Sequence, residues 1–299
     1  MVINREKYIS EDLRLIVSSL EGSINKFYNT RLLRKFSEGE IGVMKELFDE
    51  LVRIEIFSYI NSSSLIESSI LNDILGSKLL PGILVTTIIA TKSISEEDIL
   101  EGIYKGKIKV AFSDSEYVPA ADLADVIIIN DKFAWKEEAE IETYKSLDNS
   151  MKISKVKLRK FQNINFNVKN TMVNLAAQMA GGAEAVLKMS IEYAKNRIAF
   201  GKPIGSYQAI KHKLVDDAMT VELARTLFLE ASKNLDYAAL AKYYADKKLI
   251  KVAMDGIQVH GGIGFTDEID IHLYLRRILT LSKIYHPNKI DVLALLGKK

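Results

Sequence analysis

The apolar residues of this chain change their period twice, and that change limits the fold more than any other feature. From Glu11 to about Ser77 they recur at steps of three and four, as in "LRLIVSSLEGSINKFY" and "VMKELFDELVRIEIFSYI". That is the period of helices with one buried stripe. From about Ile94 to Val168 the pattern becomes short β-rich runs bounded by Gly, Asp, Asn and Pro: "GKIKVAFSD", "ADVIIIND", "AEIETYK" and "MKISKVKLRKFQ". Within the last of these, "KISKVKLRKF" alternates polar and apolar, as a strand with one wet face does. Long helical patterns return from Asn170 onward. Residues 79–92, "LLPGILVTTIIATK", read as a buried helix or as a strand, since period alone does not separate the two. The expected fold is α+β, mainly α, in three parts: a helical domain over 1–92, a small β domain over 93–168 and a helical bundle over 169–299.

The stretch "TMVNLAAQMAGGAEAVLKMSIEYAKNR" is rich in Ala, Gly and Met. Small side chains let helices approach closely, which points to a bundle interior or a subunit interface. No period of 20 to 50 residues is visible, so a solenoid is not expected. With 299 residues, 48% of them hydrophobic, the chain can bury a large core without staples. It has no cysteine, which excludes disulfides, thiolate metal sites and cysteine nucleophiles. Four scattered histidines and the carboxylates are the remaining metal ligands, and no metal site is expected.

The formal net charge is +2, with both signs mixed along the chain, so there is no electrostatic footprint for nucleic acid. The start, "MVINREKYISEDLRLI", lacks the apolar core of a signal peptide, and no apolar run reaches the roughly 18 to 20 residues that span a bilayer. The expected location is the cytoplasm, without a membrane span.

Four features stand out as candidates for chemistry. The first is "NRIAFGKPIGSYQAIKHKL", where a helix breaks at Phe-Gly-Lys-Pro, with Arg197 closing one helix and Gln208 opening the next. On its own it reads as a helix-hairpin turn. The second is "DGIQVHGGIGFTDE", in which Gln258 precedes Gly261, Gly262 and Gly264. Glycines there let a phosphate or another backbone come close, although alone the pattern reads as a helix cap and turn. It follows a helix, which is not the setting of a dinucleotide fingerprint. The third is "YLRRILTLSKIYHPNK", with Arg276, Arg277, Tyr285 and His286; an imidazole can serve as a base near neutral pH. The fourth is Trp135, the single tryptophan, which reads as packing.

Taken in order, these features resemble the carboxy-terminal half of the acyl-CoA dehydrogenase family. "EYAKNRIAFGKPIGSYQAIKHKLVDDAM" is similar to that family's Arg-x-x-Phe-Gly helix pair with its Gln-Ala-Ile restart. "DGIQVHGGIGFTDEIDIHLYLRR" is similar to its Gln-x-x-Gly-Gly-x-Gly segment and the helix after it. The match is clear over about residues 171–285 and faint before. The resemblance implies an amino-terminal helical domain, a middle β domain and a four-helix bundle that builds the oligomer. This chain is shorter than the usual member, mainly in the first two parts.

The resemblance also implies chemistry. In the family, flavin adenine dinucleotide (FAD) oxidises the Cα–Cβ bond of an acyl-CoA thioester: a carboxylate takes the α-proton and the β-hydrogen leaves as hydride, for delivery to an electron-accepting protein. A positioned base and stabilisation of the enolate-like oxygen are required. The motif that carries the base, Tyr-Glu-Gly-Thr, aligns with Tyr285 to Asn288, so His286 stands where the Glu belongs. The other family position for the Glu falls at about Asn170, beside Thr171 in place of an Arg. Neither place holds a carboxylate.

The surviving motifs, with Arg197, Phe200, Gln208, Gln258, Gly261 and Gly262, are similar to those that in the family reach a neighbouring subunit's flavin at its diphosphate and adenosine. The pattern implies a lipid-metabolism flavoprotein subunit that completes a neighbour's FAD site in a homo- or hetero-oligomer. Two alternatives stay open. One is a self-sufficient enzyme with His286 as its base. The other is a non-enzymatic bundle that serves only as an oligomerisation scaffold.

Overall fold

The computed structural model describes residues 8–289 and 292–293. The expected domains over 1–92 and 169–299 therefore extend at their ends beyond the described residues. Contacts divide the described residues into two compact units, one of residues 8–71 together with 80–171, the other of 72–79 together with 172–289 and 292–293. The fold is mainly helical, with a small β region before a helical bundle.

The first unit begins with helices α1 (Glu11–Phe27), α2 (Thr30–Ser37), α3 (Gly42–Arg53), α4 (Ile56–Ser62) and most of α5 (Leu65–Gly76). Their starts follow local chemistry. The Ser10 hydroxyl accepts from the Leu13 amide at 3.1 Å, and the Asn29 side chain accepts from the Leu32 amide at 3.1 Å. Each satisfies an amide that the first turn leaves without a helical partner. Helix α6 (Gly82–Thr91) decides the ambiguous segment: it is a helix, and every residue of it is buried. A buried helix is able to carry three threonines because their hydroxyls donate back along the chain, Thr86 and Thr87 to the Ile83 carbonyl and Thr91 to that of Thr87. Helix α7 (Glu97–Tyr104) leads into the strands.

The four β-rich runs become strands β1 (Val110–Ser113), β3 (Val126–Ile129), β5 (Ala139–Tyr144) and β6 (Ile153–Leu158). Three short strands complete two sheets: β2 (Tyr117–Pro119), β4 (Lys132–Trp135) and β7 (Gln162–Asn163). One sheet has the order β1-β3-β4-β7, with β1 and β3 parallel; the other is antiparallel in the order β2-β6-β5. The continuous "VIII" of β3 suits a strand buried on both faces, whereas β6 alternates buried and exposed as its sequence does.

The second unit is the bundle. Helices α8 (Val168–Asn196), α9 (Gln208–Lys233), α10 (Ala238–His260) and α11 (Ile271–Leu281) pack with the last turn of α5. The small-residue stretch of α8 has its purpose here. A Cβ on Gly181 would lie 1.7 Å from the Asp73 carbonyl oxygen, and one on Gly76 would lie 2.1 Å from that of Gln178. Backbone meets backbone, so the stretch serves a bundle interior. Asn72 donates to Asn174 at 2.9 Å and Gln178 donates to Asn72 at 3.0 Å, so the buried amides satisfy one another.

Gly181→Ala is expected to cost about 3 kcal/mol, since neither helix backbone can yield without shifting as a whole. Gly22→Ala, on exposed α1 where nothing lies within 4 Å, is expected to stabilise by up to about 1 kcal/mol. Urea unfolding of both variants checks the pair.

Candidate functional site

Helix α8 stops at Asn196, and Arg197 follows as the first residue beyond it. The chain then forms a two-residue β-hairpin in which Ile198 pairs with Pro203 and Ala199 with Lys202. Phe200 and Gly201 make its turn at φ of +52° and +80°. Positive φ at both central residues gives the twist that a two-residue hairpin needs. Glycine adopts it freely; phenylalanine does so under strain. The Tyr207 hydroxyl donates to the Ala199 carbonyl at 3.2 Å, and the Lys202 ammonium stands 4.4 Å from the Tyr207 ring centre. The hairpin base is therefore held, and its tip carries Phe200 at 97% exposure.

Helix α9 starts at Gln208, with no acidic residue in its first turn and no side-chain cap from Tyr207. Its amino-terminal amides and dipole favour a negative ligand. Lys213, just over one turn on, bonds the Asp255 carboxylate of α10 at 2.6 Å. Helices α9 and α10 form a hairpin, so moving back along α9 and forward along α10 leads to the same end. Gln208 and Gln258, both exposed, share that end.

Helix α10 ends at His260, whose ring stacks on Tyr193 of α8 with centroids 4.4 Å apart and planes at 29°. Tyr193 lies one turn before Arg197, and His260 immediately precedes Gly261. The stack thus brings the Arg197 segment and the glycine segment together. Gly261 has φ +65°, a demand of the chain itself. Gly264 is packed, since its Cβ would lie 2.8 Å from the Ile257 carbonyl oxygen. Gly262 has neither reason: its φ is not positive, and among the described residues nothing lies within 4 Å of a Cβ there.

The residues aligned with the family's base do not join this end. Asn170 donates to the Lys92 carbonyl at 3.0 Å, and Thr171 donates to the Ser93 hydroxyl at 2.8 Å. Both belong to the first unit and tie α8 to the end of α6. His286 is 40% exposed, with Nδ1 2.8 Å from the Asp246 carboxylate. Asp246 also bonds Lys242 at 2.6 Å, and Lys242 is fully buried. Burial pushes the Asp246 carboxyl above its usual range, against the pull of the Lys242 ammonium. Asp246 and Gln258 are separated by twelve residues of one helix, about 18 Å along its axis.

Trp135 is half-buried in β4; Arg276 is half-buried and Arg277 buried on α11. Among the described residues no helix is long and apolar enough to cross a membrane.

Residues 162–285 match the family model for the carboxy-terminal domain of acyl-CoA dehydrogenase. Over that segment the chain is similar to the acyl-CoA dehydrogenases. Acyl-CoA dehydrogenase IpdE2 of Mycolicibacterium smegmatis is 28% identical over 302 residues, covering 93% of this chain and 96% of that protein. A glutaryl-CoA dehydrogenase from Mycobacterium smegmatis in complex with FADH2 superposes with a TM-score of 0.77 at 14% identity, over 99% of this chain and 96% of that one. The ChsE4–ChsE5 complex from Mycobacterium tuberculosis gives a TM-score of 0.78 at 15% identity, over 97% and 98%. At these identities the superpositions bear on the fold alone.

Sequence reasoning passed over Tyr193, His260 and the Lys213–Asp255 pair. Their signal was available: Tyr193 is four residues before Arg197, and His260 touches Gly261 in sequence. Only the packing of α8 and α9 on α10 assigns them to one place.

Proposed function

We propose that this chain is a subunit of an acyl-CoA dehydrogenase-type oxidoreductase whose bundle end completes the FAD site of a neighbouring subunit. The observation that carries this reading is Phe200: strained at φ +52° and 97% exposed, it has no role within its own chain. Strain of that kind is kept where a function uses it. The likeness in fold to a chain of the ChsE4–ChsE5 complex supports a two-chain assembly.

FAD, when bound, accepts the β-hydrogen of the acyl thioester as hydride. This chain's part is to bind and orient. The Arg197 guanidinium offers a paired set of donors to a diphosphate. The amino terminus of α9 adds its dipole. Gln208 and Gln258 hydrogen-bond polar edges of the nucleotide, Gly262 lets the backbone close on it, and Phe200 covers an aromatic or ribose face and excludes water. The α-proton is taken by the partner, because Asn170 and Thr171 are committed to the end of α6.

The test is co-purification with a full-length acyl-CoA dehydrogenase encoded beside it. A yellow complex is expected, with Arg197→Ala lowering FAD affinity about tenfold or more. A colourless complex from both chains overturns the cofactor assignment and leaves the scaffold.

One observation favours a second reading. The hydrogen bond from His286 Nδ1 to Asp246 directs Nε2 outward, the arrangement that makes an imidazole a base. Under that reading the chain alone is yellow and is bleached by an acyl-CoA substrate, and His286→Ala abolishes the bleaching. Under the two-chain reading His286→Ala leaves bleaching of the complex unchanged.

A further inference from the structure

The stacked pair of Tyr193 and His260 is not explained by cofactor contact, because His260 is buried and its ring bonds inward. Its Nδ1 lies 2.8 Å from the Gly256 carbonyl oxygen; a carbonyl only accepts, so Nδ1 carries the hydrogen. That bond fixes the ring against its own helix. The face left over lies on Tyr193 at 4.4 Å, an offset contact of the kind two rings hold in a defined orientation. One turn closer to the amino terminus the two helices nearly touch, since a Cβ on Gly256 would stand 2.3 Å from Val186 and 3.0 Å from the Ser190 hydroxyl. The close contact sets the distance between α8 and α10. The stack sets their rotation at the place where both helices end.

Each ring stands directly behind one arm of the candidate site. Tyr193 accepts, through its carbonyl, the amide hydrogen of Arg197 at 2.8 Å, and Arg197 in turn accepts from the Ile204 amide at 2.8 Å. A movement of Tyr193 therefore moves the root of the hairpin that carries Phe200. His260 is the last residue of α10, and Gly261 and Gly262 leave from it.

We infer that the Tyr193–His260 stack is a positioning device that holds the arginine arm and the glycine arm in register for one dinucleotide diphosphate. This rests on the reading that Arg197 and Gly262 meet the same ligand. His260 is a positioning residue and touches no ligand itself.

The test uses the two-chain complex, freed of flavin and titrated with FAD, with thermal unfolding measured alongside. His260→Ala is expected to raise the Kd for FAD about tenfold. His260→Phe keeps the ring and gives up the Nδ1–H bond, so it is expected to restore affinity to within about threefold. Tyr193→Ala is expected to match His260→Ala, and the double variant to be no weaker than either. Arg197→Ala is expected to lose less in the His260→Ala background than in the wild type, because a misaligned arm has less to lose.

A His260→Ala complex that unfolds at a lower temperature yet binds FAD as the wild type does would make the stack packing only, and would overturn the inference. Additive losses from Tyr193→Ala and His260→Ala would overturn it as well. Failure of the wild-type complex to take up FAD at all sinks the underlying functional reading instead, which keeps the two apart.

Discussion

Arg225→Met is expected to cost about 4 kcal/mol of folding stability, because it unpairs a carboxylate buried in the bundle. Arg225 lies on α9 at 3% side-chain exposure, and Asp73, at the end of α5, is fully buried. The guanidinium spends its donors on three carboxylates. Nε and Nη2 reach the two Asp73 oxygens at 3.0 and 3.2 Å; Nη2 also meets Glu184 of α8 at 2.8 Å, and Nη1 meets Glu222 at 2.9 Å. Removing the cation leaves Asp73 charged in a place that water does not reach.

Arg225→Lys is expected to recover only part, because a point charge does not reproduce the planar fork. Pairing Arg225→Met with Asp73→Leu is expected to regain much of the loss, since the buried charge goes with its partner. Urea unfolding of the three variants decides. A single Arg225→Met loss below about 1 kcal/mol would show the network to be solvated.

The second large effect is a dependence on pH. Asp217 of α9 is buried, and its carboxyl is pushed up to about 7, first by burial and next by the charge of Asp255; Lys251 and Lys213 pull the other way. Burial acts on Asp255 in the same sense, but hydrogen bonds from Lys213 and Lys251 hold its carboxyl below the usual range. One site thus keeps its proton and the other keeps its charge.

Between its unfolded value near 3.9 and the folded value of about 7, Asp217 is more protonated in the native state than in the unfolded one. Stability from this group is therefore fully present below about pH 4 and is lost as pH rises to about 7. Linkage allows about 4 kcal/mol over that span. Asp217→Asn resembles the protonated form, so it is expected to match the wild type near pH 5. Near pH 8 it is expected to exceed the wild type by up to about 4 kcal/mol, since the folded value of about 7 already contains the pull of the two lysines. Thermal unfolding at both pH values checks this. Equal differences at the two would remove Asp217 from the account.

The hairpin was legible in the sequence to within a residue: Arg197 reads as the close of one helix and Gln208 as the start of the next, and the helices end at Asn196 and begin at Gln208. What the letters did not disclose is that Phe200 itself takes positive φ, because an Asn or Gly is the usual signal for that turn. The four β-rich runs are strands, while β2, β4 and β7 passed unread. They read YVP, KFAW and QN, with no run of β-branched residues such as the VIII of β3.

The segment 79–92 stayed ambiguous for a different reason. Each of the ten residues of α6 is buried, so the helix has no polar face, and its stripe cannot be seen against a uniformly apolar background.

The sequence by itself determined the helix, strand, helix order, the breaks at Gly and Pro, the absence of thiol chemistry and the two motifs that carry the family. All of these depend on residues near one another in the chain, where period and turn chemistry act. Tertiary structure alone decided which residues share a place. It set Tyr193 on His260, Lys213 on Asp255, Arg225 on Asp73, and His286 on Asp246, away from the hairpin end. The hydrogen-bonded partners among them are 40 to 152 positions apart. Their meeting is set by how closely Gly76, Gly181 and Gly256 let the helices approach, and no local pattern encodes that distance.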